Sequence, residues 1–287
     1  EKFNTDPVFK SEMRPVRTSI QKFVNQVSCA KISVLERTAA IHDLIIKYKN
    51  EPIKYKYCLV VLAEKVVSKC ECDVASELSS QQSARLAFPY ALLMMFLCEK
   101  FPDCLDIFLG VMNRMCIYTV PMYYVAKEKS MSDEDFKIKC LGYKSMEERK
   151  ADYYDRMSGI IALFAAFLQV DNPGGSANHR FYRVDHAWTW LAQFLNIKPI
   201  DISATVLDTF LRVAGWALHQ QYKHQFIKLL AYVQRDFLPE CPKNTDFKGP
   251  LATLQLFVGE ALQKTRSLAP PLDKPEGRDL SDSTGIA

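Results

Sequence analysis

Apolar residues recur at helical spacing along most of the chain. Over 33–48, Ile41, Leu44, Ile45 and Tyr48 stand at offsets of three, four and seven, the stripe that one face of an α-helix turns to a core. A similar pattern fills 13–28. Asn50-Glu51-Pro52 breaks it, and Tyr57, Val60, Val61, Glu64, Lys65 and Ser68 carry a third helix towards Glu77. Pro89 and Pro102 suit first-turn positions, where no backbone N–H is needed, so helices are expected over 88–100 and 102–115.

The stretch 155–196 is the most distinctive. Arg156 to Leu168 is almost uninterruptedly apolar, with small residues Gly159, Ala162 and Ala166 in one line. A helix apolar on every side must be wrapped by other helices, and small residues let a neighbouring backbone come close. Asp171-Asn172-Pro173-Gly174-Gly175 ends it. Further helices are expected over 184–196, 203–221, 222–238 and 248–265. The segment 116–146 reads as a long connection holding one short helix, capped by Ser132 with acids in its first turn.

No sustained alternation of period two occurs, and no two runs are joined by an Asn-Gly or Asp-Gly turn. The fold class is therefore all-α, with antiparallel helices stacked as an irregular α-solenoid. The expected organisation is an N-terminal extension over 1–12, one helical domain over 13–267, and a disordered tail over 268–287 rich in proline and charge. The chain opens at Glu1 and not at a methionine, so it is expected to be a piece of a longer protein.

Charge changes this picture little. With 37 Lys and Arg against 33 Asp and Glu, the net charge of +4 demands neither nucleic acid nor an anionic membrane. The apolar run 86–98 contains Pro89 and falls short of the ~18 residues of a membrane span. Nine scattered cysteines, without an N-terminal signal segment, point to thiols in a reducing compartment.

Candidate chemistry is sparse. No phosphate-binding Gly-x-x-x-x-Gly-Lys motif is present, and the glycines at 174 and 175 follow a helix instead of a strand. Cys70-Glu71-Cys72 lacks a second pair at zinc spacing, and Asp185-His186 reads as a helix cap rather than a catalytic pair. Trp188, Leu191, Ala192 and Leu195 form an ordinary core stripe. His186, Trp190 and Gln193 share another face, where the indole either fills an interhelical gap or presents a docking surface.

Three stretches together carry a family resemblance. Gly142-Tyr143, then Tyr154-Asp155-Arg156-Met157-Ser158-Gly159-Ile160-Ile161-Ala162-Leu163, then His186-Ala187-Trp188-Thr189-Trp190-Leu191-Ala192-Gln193-Phe194-Leu195-Asn196 resemble the carboxy-terminal domain of the Gle-one family of mRNA export mediators. Supporting stretches are Leu62-Ala63-Glu64-Lys65-Val66-Val67, Ala87-Phe88-Pro89 and Gln225-Phe226-Ile227-Lys228-Leu229-Leu230, so the resemblance covers most of 15–240.

The resemblance implies a HEAT-like α-solenoid similar to the middle domain of eukaryotic initiation factor four-G. It implies a non-enzymatic factor on the cytoplasmic face of the nuclear pore complex that binds both RecA-like lobes of a DEAD-box RNA helicase and stimulates its ATPase. A short segment of an FG-repeat nucleoporin is a further implied partner, for which His186, Trp190 and Gln193 are the candidate residues. Direct strong nucleic-acid binding and membrane association are not expected. The rival reading is a HEAT-like scaffold of translation initiation or RNA processing, which would also bind a DEAD-box helicase.

Fungal members of the family use inositol hexakisphosphate as a tether to the helicase, held by a basic core Arg-x-x-Lys-Lys before Cys-Pro. The matching stretch here is Val111-Met112-Asn113-Arg114-Met115-Cys116-Ile117, where only Arg114 keeps its charge. Lys65 matches another basic position and Lys228 a third, with Arg17 and Lys22 as looser candidates near the start. A polyphosphate needs several converging cations to offset its desolvation, so weak or absent binding is expected.

Overall fold

The computed structural model describes residues 6–77, 87–122, 130–170, 183–242, 248–263 and Leu268. Ten helices of eight residues or more are described: α1 Pro7–Asn25, α2 Lys31–Ile46, α3 Pro52–Glu77, α4 Ala87–Lys100, α5 Cys104–Met115, α6 Lys150–Phe167, α7 Val184–Leu195, α8 Ser203–Tyr222, α9 His224–Tyr232 and α10 Lys248–Gln263. No strand occurs among the described residues. The all-α expectation holds. Within the same residues, no helix is long and apolar enough to cross a membrane.

The helices stack in a row. α1 packs on α3, α3 on α6, α6 on α8, and α8 on α10, while α2 and α4 pair with each other on a second layer. α5 rests on α3, α7 on α8, and α9 on α8 and α10. This is the alternating arrangement of an α-solenoid, in which each helix buries one stripe on the helix before and another on the helix after.

α6 sits at the centre and is buried on all sides: Tyr153, Tyr154 and every position over 156–167 are buried. Its contact with α3 depends on one missing side chain. A Cβ at Gly159 would lie 2.2 Å from the carbonyl oxygen of Cys70. Only glycine permits α3 and α6 to come this close.

The helix starts differ from the expected ones for identifiable reasons. Asp6 caps α1 by accepting from the Val8 and Phe9 amides at 2.9 and 3.3 Å, and Pro7 occupies the first turn. The apolar pattern suggested a start at residue 13, but the helix begins six residues earlier and carries Pro15 in its interior. Residues 7–12 therefore join the packed body: Phe9 meets Tyr57 edge-on at 5.2 Å, and Lys54 bridges Glu12 and Glu51. α3 likewise begins at Pro52, five residues before its first clear apolar stripe. The Pro-Gly loop over 171–175 and the tail beyond Leu268 lie outside the described residues.

The long connection before α6 is pinned to the body by buried charge. As expected, Ser132 caps a single helical turn, Asp133–Asp135, by accepting from the Asp135 amide at 3.0 Å; the turn then widens into a π-helical segment, Phe136–Cys140. Beyond it, Arg156 of α6 donates to Glu148 at 3.0 Å through both Nε and Nη2, and to the Gly142 carbonyl at 2.8 Å. Its Nη1 reaches Glu71 of α3 at 3.4 Å, and Lys144 closes the ring on Glu71 at 3.1 Å. Gly142 takes a φ of 79°, the left-handed region that glycine enters without strain. Tyr143 stacks on Tyr153 at 3.8 Å, and the Tyr153 hydroxyl donates to the Leu141 carbonyl at 2.6 Å. Gly142, Tyr143, Arg156 and Gly159, four residues from two of the three stretches that carried the family resemblance, thus form the clasp between the connection, α3 and α6.

Candidate basic face and aromatic helix

Three of the five basic candidates lie on α3 and on helices packed against it, Arg17 acting on Lys65 and Arg114 bonded to the adjacent Glu64. Arg17 lies exposed on α1, Lys65 half-buried on α3, and Arg114 exposed in the last turn of α5; α1 and α5 each pack on α3. Burial lowers the Lys65 ammonium from its ordinary range, and the Arg17 charge lowers it further against an opposing pull from Glu64. Arg17 and Lys65 are therefore close enough to repel each other. Arg114 is held differently: its Nη2 donates to Glu64 Oε1 at 2.8 Å, in an ion pair with side chains 62% and 34% exposed.

The other two candidates do not join. Lys22 follows Arg17 by five residues, about 140° round α1, and so faces a different side. Lys228 is on α9, which packs on α8 and α10 at the opposite end of the row. Glu64 is the residue that sequence reasoning missed. It stood beside Lys65 in a family stretch, but its pairing with Arg114, fifty positions later, is a tertiary fact.

At the two positions where the matching stretch lacks the family's cations, Val111 is buried and Met115 is half-buried against the core. The replaced positions have become packing residues. Arg114 remains the cation of this stretch, at the C-terminal end of α5, where the helix dipole favours positive charge.

The aromatic helix corrects the sequence-based phase. Trp190 is only 4% exposed and is core: its ring stacks on Phe210 at 4.0 Å and on Phe194 at 5.0 Å, and meets Phe164 at 6.0 Å. Its indole N–H donates to the Tyr118 carbonyl at 3.1 Å, which satisfies the one polar atom this burial would strand. The expected docking indole is thus an interior one, whereas His186 and Gln193 are exposed. The buried stripe runs Ala187, Trp190, Leu191, Phe194 and Leu195. Trp188, expected in the core, is half-buried and stacks on Tyr222 of α8 at 4.3 Å. Asp185 does not cap α7; Arg183 takes that position without a side-chain hydrogen bond, and Asp185 lies in the first turn beside His186.

Other candidate chemistry is absorbed by packing. Glu71 of the Cys-Glu-Cys stretch is committed to Arg156 and Lys144. Among the described residues, no group of three or more His, Cys, Asp or Glu is placed to hold a metal ion. Cys58 and Cys116 form no disulfide, and burial pushes each thiol up to about 12.

Comparison with known proteins adds to this geometry. The family model described as GLE1-like protein matches residues 1–234. The rat mRNA export factor GLE1 is 36% identical over 210 residues, which are 71% of this chain and 29% of the rat protein. The zebrafish mRNA export factor GLE1 is 32% identical over 247 residues, 83% of this chain and 33% of that protein. The chain thus spans about a third, or less, of the length of these relatives. Among solved structures, the fold matches one of a Saccharomyces cerevisiae Dbp5 C-terminal domain variant bound to Gle1 and IP6, with a TM-score of 0.77 and 19% identity, covering 91% of this chain and 86% of that one. At that identity the likeness is one of fold.

Proposed function

The chain belongs to the GLE1-like family, and from that premise we propose that it is a non-enzymatic mRNA export factor that binds a DEAD-box RNA helicase and stimulates its ATPase at the cytoplasmic face of the nuclear pore complex. The observation that carries this reading is the family match over 1–234, joined to a fold neighbour solved with Dbp5 and IP6. A rigid row of helices suits the task. Binding both RecA-like lobes with greater affinity in a partly open state would shift the helicase's open and closed populations by that difference in affinity, and so speed its cycle.

The basic face of Arg17, Lys65 and Arg114 is the surface we assign to one lobe, because three adjacent helices present cations there. Inositol hexakisphosphate binding to this face is weak. Apolar side chains, Val111 and Met115, stand at one arginine and one lysine position of the matching stretch, and its one remaining cation, Arg114, is already paired. For the short nucleoporin segment, the half-exposed Trp188 on Tyr222 replaces Trp190 as the aromatic anchor.

Titration of the cognate helicase, and of each lobe alone, onto the immobilised chain tests the reading. Binding by both lobes, weakened when Lys65 and Arg114 become glutamine, is expected. No binding by either lobe overturns it. Trp188→Ala should lower affinity for the nucleoporin segment and leave helicase binding unchanged; unchanged affinity for the segment removes Trp188 from that role.

A further inference from the structure

The basic face carries its own anion. Glu64 and Lys65 are neighbours on α3, and Glu64 reaches Arg114 of α5 at 2.8 Å while Lys65 feels the charge of Arg17 on α1. We propose that Glu64 is a built-in counter-ion that holds this face below the positive charge needed to capture a polyphosphate, and that a highly charged anion binds only by displacing it from Arg114. The inference rests on the reading of this face as the helicase- and anion-facing surface, and adds a residue that sets its selectivity.

The pair is placed for exchange. Arg114 is 62% exposed and Glu64 34% exposed, so the ion pair stands at the surface, where such contacts contribute little to stability and break readily. Three cations against one carboxylate leave two net positive charges. A polyphosphate approaching the face meets that carboxylate among the cations it seeks, and like charges within about 6 Å oppose each other even in a partly hydrated site. An extended polyanion such as RNA can spread its charge beyond the face, whereas a compact polyphosphate cannot avoid Glu64. The carboxylate therefore discriminates most strongly against small, densely charged ligands.

The test is calorimetric titration of inositol hexakisphosphate into the 287-residue chain at fixed ionic strength, with Glu64→Gln, Arg114→Gln and the double variant. Glu64→Gln should tighten binding about tenfold, since one unit charge is removed beside a multivalent anion. That gain should shrink to a few-fold when Arg114 is also glutamine. Glu64→Lys, as a second variant, should tighten binding further. Glutamine is nearly isosteric at this helical surface position, and thermal unfolding of each variant confirms that the fold is kept. Equal or weaker binding by both Glu64 variants overturns the proposal, because Glu64 would then position Arg114 instead of opposing the ligand. Helicase stimulation, measured separately without the polyphosphate, bears on the family reading alone, so the two ideas fail by different results.

Discussion

Trp188 and Trp190 are two residues apart and have different surroundings. Leu191 and Leu195 belong equally to a stripe through Trp188 and to one through Trp190, so those two leucines cannot fix the phase of α7. Ala187 and Phe194 break the tie, because both fall on the Trp190 side. That signal was available in the sequence, but the Tyr118 carbonyl that receives the indole proton was not, since it lies seventy-two positions away. Trp190→Ala should cost about 3–5 kcal/mol, the range for emptying a buried large aromatic site. Trp188→Ala, on a partly exposed ring, should cost about 1 kcal/mol; urea unfolding of the two variants gives the comparison. Gly159 was legible as a close-packing residue, and the structure identifies its neighbour. Gly159→Ala forces α3 and α6 apart and should cost about 3 kcal/mol by the same measurement. A cost below that of an ordinary surface substitution would mean that the two helices slide past each other without loss.

At the scale of elements, the helices were legible because their stripes are strong, and their ends were not. α1 and α3 both begin before their stripes, at Pro7 and Pro52, since a proline in the first turn needs no amide partner. The π-helical segments Phe136–Cys140 and Val233–Phe237 left no pattern to read. Nor did the clasp that holds the connection before α6, because Glu71, Glu148 and Arg156 meet only after folding. Burial alone would push the Glu148 carboxyl up, but the Arg156 guanidinium and the Lys144 amide outweigh it and hold the group below its ordinary range. A carboxylate depressed in the folded state adds stability that is complete above its unfolded value of about 4.3 and is lost as the pH falls through the folded value. Urea midpoints should therefore decline below about pH 4.3. Arg156→Met should remove that part of the decline and cost about 3 kcal/mol at neutral pH, because it takes the shared guanidinium from two buried carboxylates and leaves them only the contacts to Lys144. An unchanged acid profile in this variant would show that the clasp does not set it.

For the whole molecule, the all-α solenoid was readable because a central helix apolar on every side leaves few other architectures. The family was readable from the same residues, which turn out to bind the connection, α3 and α6 together. The candidate partner surface was only half legible: the matching positions named Lys65 and Arg114, but the influence of Arg17 on Lys65, the place of Lys228 at the other end of the row, and the pairing of Arg114 with Glu64 all depend on how the row stacks. The central claim is that this row acts on a helicase as a regulator without chemistry of its own. It is tested most directly by phosphate release from the cognate DEAD-box helicase with RNA and ATP, in the absence of inositol hexakisphosphate. The intact chain should raise the rate, the chain alone should release no phosphate, and neutralising Arg17, Lys65 and Arg114 together should abolish the gain. Unchanged helicase turnover in the presence of the intact chain, or phosphate release by the chain alone, would contradict it.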